Sequence, residues 1–516
     1  MVYKCPQNLT FEECELAILR QAIDKAELQE KQQKIHSIEH QKIIAIVEKF
    51  IGDKGRICYG GTAINALLPD NDKFYNPETD FPDYDFFSPT PIKDAKKLTN
   101  IYNNAGFVNV FARAGIHVGT FKVFVNFIPV ADITLMHPDL YNRVHNRSIK
   151  IKKIHYASPN FLRMLMYLEL SRPKGNISRW EKVLKRISLL NKNYPIQGSH
   201  CKDIQIQRIF DTKNTQFEKN SPTKIFYLVR DILINQGVVF FGAMALQLYL
   251  KYDKKFKKHK FLKIPDFDVL SNNPYETAKT LKKRLEKAGI KDISIKERQG
   301  LGEIIAPHYE ITVGARTLAF IYKPIACHSY NVIKIGNNNV KIATIDTILS
   351  FYLAFLYVER PYYDPNRIIC MAEFLFKIQQ HNRLSQNGLL QRFSIDCYGI
   401  QNTIDKIRAN KSYKFKKMKR TDPEWDLYFF KYSPANKPRT VRKNKTRTKC
   451  TKRTKRTKCT KRTKRTKRTK RTKCTKCTKH TKCTKRTKRT KRKNKRKQTK
   501  IGGIFDLYSK NLLSLA

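Results

Sequence analysis

The sequence predicts an α/β (α+β) protein made of two tandem copies of one unit. Each copy is a small mixed sheet with flanking helices, and a disordered basic tail follows. Three observations lead there. Short runs rich in β-branched and aromatic residues alternate with segments of helical period. The chain has 516 residues and 41% apolar content, enough to bury a core in two or three domains. Finally, the chain repeats itself. "YGGTAI" at 59–64 returns as "FGAMAL" at 241–246, and "PDYDFFSPTP" returns as "PDFDVLSNNP". "AKKL…AG" at 95–106, "ADIT" at 131–134 and "YLELSRP" at 167–173 recur at 278–289, 319–322 and 355–361. Ordered matches with a slowly drifting offset indicate duplication of a unit of roughly 150 residues.

The elements follow in order. Thr10 and Glu13 make a capping-box start for a helix over roughly 11–34. A second helix, about 38–51, carries Ile43, Ile44, Ile46, Val47, Phe50 and Ile51 on one broad face. "RICYG" reads as a short strand, and after the double glycine "TAINALL" reads as a helix. "DYDFFS" reads as a strand; alternation puts Asp83 and Asp85 on one face. A helix over roughly 92–105 ends at Ala105-Gly106, and "TFKVFVNFIPVADITLM" reads as one or two strands interrupted by Asp132. From Asn160 to about Asn191 the pattern is helical, broken at "SRPKGN".

Charge is the extreme feature of the composition. The net charge is +60, and residues 437–500 hold 35 Lys and Arg with no Asp or Glu, which leaves +25 on the rest. A basic body with a basic tail points to a polyanion partner, most simply nucleic acid. The tail is nearly a Thr-Lys-Arg triplet repeat with no apolar residue able to offset the cost of ordering, so disorder and sequence-blind phosphate contact are expected. Its Cys474, Cys477, His480 and Cys483 imitate zinc spacing but sit in the Arg phase of the triplet, which reads as drift of the repeat. No signal peptide or membrane-spanning run is visible. The seven body cysteines, scattered without a CxxC pair, read as free thiols in a reducing compartment.

Asp83 and Asp85, at i and i+2 on a strand, project to one side about 7 Å apart. Asp132 on a neighbouring strand can complete a set of hard oxygen ligands of the kind divalent Mg²⁺ takes together with phosphate oxygens. Gly60 and Gly61, at a helix start, let backbone N–H groups approach phosphates. The ordered set reads as a nucleoside triphosphate and metal site. In the second copy Phe320 stands for Asp132 and Ala243 for Gly61, although Asp266 and Asp268 persist. That copy is read as a fold kept after its chemistry lapsed.

"YGGTAIN…PDYDFFS…VADITL" resembles the signature of the DNA polymerase beta-like nucleotidyltransferase superfamily. "MYLELSRPKGNISRWEKVLKR" and the tandem degenerate copy are similar to poly(A) polymerase catalytic subunits of large DNA viruses, the poxvirus and giant-virus type, over roughly 40–400. The spacer before Asp83 is longer than in many members, which marks "PDNDKFYNPETDF" as an inserted loop. The resemblance implies template-free transfer of AMP from ATP to an RNA 3′ end, with release of pyrophosphate and Mg²⁺ or Mn²⁺ as cofactor. It makes Asp83, Asp85 and Asp132 the catalytic metal ligands, and Gly60, Gly61 and Thr62 the holders of the triphosphate. It also implies host cytoplasm or virion, and a second copy or a viral processivity partner to keep RNA captive. The rival readings are a non-catalytic RNA-binding or packaging protein, and a transferase using another nucleotide or acceptor.

Other residues carry less. Arg179, Lys182 and Arg186 share a helix face and are candidates to grip triphosphate or RNA, against a solvated basic face. Trp180 and Tyr59 read as packing residues. His117, His137 and His155 show no ligand spacing, and Ser88 and Ser271 read as turn-formers. "KYDKKFKKHKFLK" at 251–263 mixes aromatics with lysines and suits single-stranded RNA. The expected organisation is a helical segment 1–40, a catalytic unit 41–195, a degenerate unit 196–400, a connecting segment 401–436, the repeat tail 437–500 and a terminal segment 501–516.

Overall fold

The computed structural model describes residues 10–76, 78–199, 201, 222–252 and 266–434. The repeat tail with its cysteine–histidine cluster, the 501–516 segment and residues 253–263 of the lysine–aromatic stretch lie outside the described residues.

Local chemistry sets the first elements. The Thr10 N–H donates to Glu13 Oε2 (2.8 Å) and the Glu13 N–H to Thr10 Oγ1 (3.3 Å), a reciprocal cap that starts α1 at Phe11–His36. Helix α2, Ile38–Lys54, buries Ile43, Val47, Phe50 and Ile51 and stops at Gly55, whose φ of 56° is left-handed. Then come β1 (Ile57–Tyr59), α3 (Gly60–Leu67), β2 (Tyr84–Ser88), α4 (Pro91–Asn104), β3 (Phe111–Ala114), β4 (Thr120–Val125) and β5 (Ile128–Leu135). Helix α5 (Pro138–Asn146), β6 (Ile149–Ile151), β7 (Ile154–Tyr156), α6 (Pro159–Leu170) and α7 (Trp180–Asn193) complete the first copy. "SRPKGN" falls between α6 and α7.

The second copy provides β8 (Val239–Phe240), β9 (Phe267–Leu270), β10 (Ile293–Arg298), β11 (His308–Val313), β12 (Arg316–Tyr322), β13 (His328–Ile335) and β14 (Asn338–Ala343). Its sheet runs β10-β11-β12-β9-β8-β14-β13, the first runs β3-β4-β5-β2-β1-β7-β6, and the strand directions agree pair by pair. The register agrees too: Cys58 faces Phe86 as Phe240 faces Val269, and Asp85 faces Asp132 as Asp268 faces Phe320. The repeat seen in the sequence is thus a repeat of the fold.

Each sheet gains one further strand. β15 (Cys397–Tyr398) extends the second beside β13. β16 (Lys431–Tyr432) returns to pair with β3, so the connecting segment closes the edge of the first sheet. Helix α6 is buried almost all round and packs against its own counterpart, Ile345–Phe355, so the core runs unbroken from one copy to the other.

The expectation of free thiols is corrected. Cys201 is bonded to Cys370 and Cys327 to Cys397, across 169 and 70 residues of sequence. Cys14 is also disulfide-bonded, whereas Cys58 is a buried free thiol. Partners so far apart in the chain meet only through the fold, so spacing carried no sign of them.

Candidate active site

Strand β2 sorts its side chains by alternation. Tyr84 turns into the core and hydrogen-bonds Glu48, while Asp83 and Asp85 on either side of it face a cavity of about 290 Å³. β5 runs parallel to β2 and sets Asp132 opposite Asp85, facing the same cavity. Gly60, Gly61, Lys122, Tyr75, Arg179, Lys182 and Arg186 complete its polar wall. The candidate catalytic and phosphate-binding residues therefore share one cavity, Thr62 excepted. The Thr62 hydroxyl donates to the Asp83 carbonyl (2.6 Å) and so anchors the strand instead of lining the cavity.

The double glycine has a steric cause. Gly60 holds φ at 73°, and a Cβ there would come 2.5 Å from Asp85 Oδ2. A Cβ on Gly61 would collide with Tyr75 Oη and crowd the Arg186 guanidinium. Only glycines let the α3 backbone come this close to the carboxylates and to the opposite wall.

The carboxylates disturb one another. Burial pushes the Asp85 carboxyl well up, with Asp83 and Asp132 adding to it, and burial and Asp132 raise Asp83. Asp132 forms an ion pair with Lys122, its cross-strand neighbour on β4, and its Oδ1 is buried without a hydrogen bond. Among the described residues no group of three such side chains is already gathered into a metal cage. Still, the donor set fits a divalent cation: hard oxygen ligands only, one of them open, crowded enough that added positive charge would relieve them.

The opposite wall is cationic. Lys182 is lowered by Arg186, then by burial and by Arg179. Arg179 pairs with Glu169 of α6 (3.4 Å), whose carboxyl is pushed up to about 7 by burial against the pull of Arg179 and Arg172. Arg186 lies over the rings of Phe74 and Tyr75 and donates to Tyr75 Oη (2.7 Å). The inserted loop is well anchored. Asn65 Oδ1 accepts from the N–H groups of Phe74 and Tyr75, and Asp72 takes Lys192 (2.8 Å) and Asn193 (2.7 Å). The loop thereby delivers Tyr75 to the cavity.

Sequence reasoning missed Lys122, Tyr75 and Glu169. Lys122 is legible only once the β4–β5 register is known, and Tyr75 only once the insertion is seen to fold back. Tyr59 packs on Phe87 (3.9 Å between centroids), and Trp180 donates to the Glu169 carbonyl (3.0 Å) beside Phe393. Ser88 and Ser271 each accept from the N–H two residues on (2.9 and 3.2 Å), the same turn in both copies. His137 caps α5 and His155 contacts Ser148.

Residues 45–176 match the family model described as poly(A) polymerase catalytic subunit. A protein of African swine fever virus provisionally named a poly(A) polymerase catalytic subunit is 32% identical over 194 residues, covering 36% of this chain and 40% of its own length. A mimivirus protein of the same provisional name is 28% identical over 248 residues, covering 46% of this chain and 40% of its own. The chain thus spans about two fifths of the length of these curated relatives. The crystal structure of the Megavirus polyadenylate synthase aligns with a TM-score of 0.69 at 21% identity, over 84% of this chain and 88% of that one; at that identity the likeness concerns the fold. The resemblance to viral poly(A) polymerase catalytic subunits drawn from the motifs is borne out.

Proposed function

We propose that the chain is a template-independent polynucleotide adenylyltransferase that moves AMP from ATP to an RNA 3′ end and releases pyrophosphate. The observation that carries this reading is the convergence of Asp83, Asp85 and Asp132 with Gly60 and Gly61 in one cavity faced by Arg179, Lys182 and Arg186. The relatives' names support the choice of adenylate.

Asp83, Asp85 and Asp132 would hold Mg²⁺ or Mn²⁺, which when bound supplies Lewis acidity toward the α-phosphate and the attacking 3′-hydroxyl. The chain's own groups do the positioning. Gly60 and Gly61 leave room for the triphosphate against the α3 backbone. Arg179 and Lys182 set positive charge opposite the carboxylates, where pyrophosphate would leave. Lys122 holds Asp132 in place across the strand pair and partly neutralises it. Tyr75 and Arg186, fixed by the inserted loop, bound the cavity opposite Gly61.

RNA as acceptor is consistent with the charge of the body, and a second copy or a viral processivity partner would keep the strand captive. By analogy with the viral relatives, the cytoplasm of an infected cell or the virion is the expected place of action. The full-length chain is to be incubated with an RNA primer, Mg²⁺ or Mn²⁺, and labelled ATP, CTP, GTP or UTP in turn. Incorporation from ATP well above the other three is expected. No incorporation would leave the RNA-binding alternative, and preference for another nucleotide would replace the adenylyl assignment.

A further inference from the structure

A second cavity, about 830 Å³, opens on the degenerate copy. Arg172, in the turn after α6, forms part of its wall, together with Asn273, Tyr275, Tyr309, Lys323 and Gln401. Arg172 is only 3% exposed, yet its Nε has no hydrogen-bond partner. Gln401 Oε1 is likewise buried without one. Two residues of one wall thus each keep a buried polar atom without a partner, a donor on a cation and an amide acceptor, which suits a wall that rearranges slightly around a polar, anionic ligand.

The rest of the wall narrows the ligand. Tyr275 is half exposed and its ring lies 5.5 Å from that of Tyr309, a surface on which a base can stack. Lys323 adds a second cation, and Glu276 is the single acid in the lining among the described residues. The volume lies within the range of about 300–1,000 Å³ typical of small-molecule sites and suits a nucleotide or two. The Cys327–Cys397 bond joins the segments that contribute Ala326 and Gln401, so the walls are tied together.

The cavity is also linked to the active site. Glu169 feels both Arg179, which lines the catalytic cavity, and Arg172, which lines this one. Buried His117 is pushed down to about 4 by burial and then by Arg172, Lys411, Lys122 and Arg179.

We propose that this cavity is a subsite for an upstream nucleotide of the RNA primer, its phosphate on Arg172 and Lys323, its base on Tyr275 and Tyr309. The assignment rests on the polymerase reading above. The test uses the full-length chain and oligoadenylates carrying photoreactive thiouridine at successive distances from the 3′ end. Irradiation and peptide mapping should give cross-links to the peptides containing Tyr275, Tyr309 or Gln401 from one interior position, and not from the terminal nucleotide. In parallel, the double variant Tyr275→Ala, Lys323→Glu, which alters two exposed side chains, should raise KM about tenfold for a long primer. For a trinucleotide too short to reach the subsite, KM should stay unchanged. Cross-links confined to the catalytic unit or the tail, or an equal KM change for both lengths, would overturn the subsite. Cross-links at the subsite without AMP incorporation by the unaltered chain would instead sink the polymerase reading and leave an RNA site.

Discussion

The two copies share seven strands in one order, one set of strand directions and one register, but they handle the charge at equivalent positions in opposite ways. In the first, Lys122 and Asp132 face each other across β4 and β5. In the second, the same rungs hold Glu310 and Phe320, and Glu310 is taken by Arg298 and by Thr317. The glycine turn diverges too. Gly60 holds a left-handed φ of 73° and Gly242 a φ of −75°, yet in both a Cβ would run into the equivalent aspartate, 2.5 Å from Asp85 Oδ2 and 1.9 Å from Asp268 Oδ2. A carboxylate pair surviving in sequence is therefore weak evidence of chemistry; the third carboxylate, Asp132 where the second copy has Phe320, is what sets the two copies apart.

The comparison can be broken most sharply at the carboxylates. Asp83→Ala or Asp85→Ala should lower AMP incorporation by about a thousandfold or more, with little change in melting temperature because mutual repulsion is relieved. A variant that keeps wild-type turnover would remove the site. Gly60→Ala comes next: forcing Asp85 aside should cost about a hundredfold in kcat. The equivalent change, Gly242→Ala, should appear as lower thermal stability with activity retained below the unfolding transition. Equal kinetic losses from both would show that the second cradle also works.

A smaller effect concerns pH. Glu303 of the second copy is 1% exposed, and burial pushes its carboxyl up from 4.5 to about 8. A carboxyl raised on folding contributes stability that is complete below 4.5 and lost as pH rises through about 8. Wild-type melting temperature should fall over that window, and Glu303→Gln should flatten the fall and melt higher at its upper end. Parallel curves would show that the side chain is solvated. The least effect is expected from Asp268→Ala, less than about a twofold change in turnover. A large loss would restore catalytic standing to the second copy.

Much of this was legible in the residues. Periodicity, the capping box at Thr10 and the ordered echoes gave the elements and the duplication, because these are local or repeated signals. The Asp83–Asp85 alternation and the strand position of Asp132 placed three carboxylates together, because strand geometry is regular. What stayed hidden depends on register or long-range closure: Lys122 opposite Asp132, Tyr75 carried in by a folded insertion, Cys201 against Cys370, and Arg172 at a cavity formed largely by residues more than a hundred positions later. Thr62 was assigned to phosphate by adjacency alone, whereas its hydroxyl is committed to the Asp83 carbonyl.

β16 pairs with β3, and Phe430 just before it packs edge-on against Phe121 of β4. Until translation has passed Tyr432, a nascent chain therefore carries its acidic triad on a sheet with one raw border and a missing aromatic plug. Synthesis of that late strand, rather than of the triad itself, allows the sheet to close, and a product truncated shortly before it would present an unpaired edge to its neighbours.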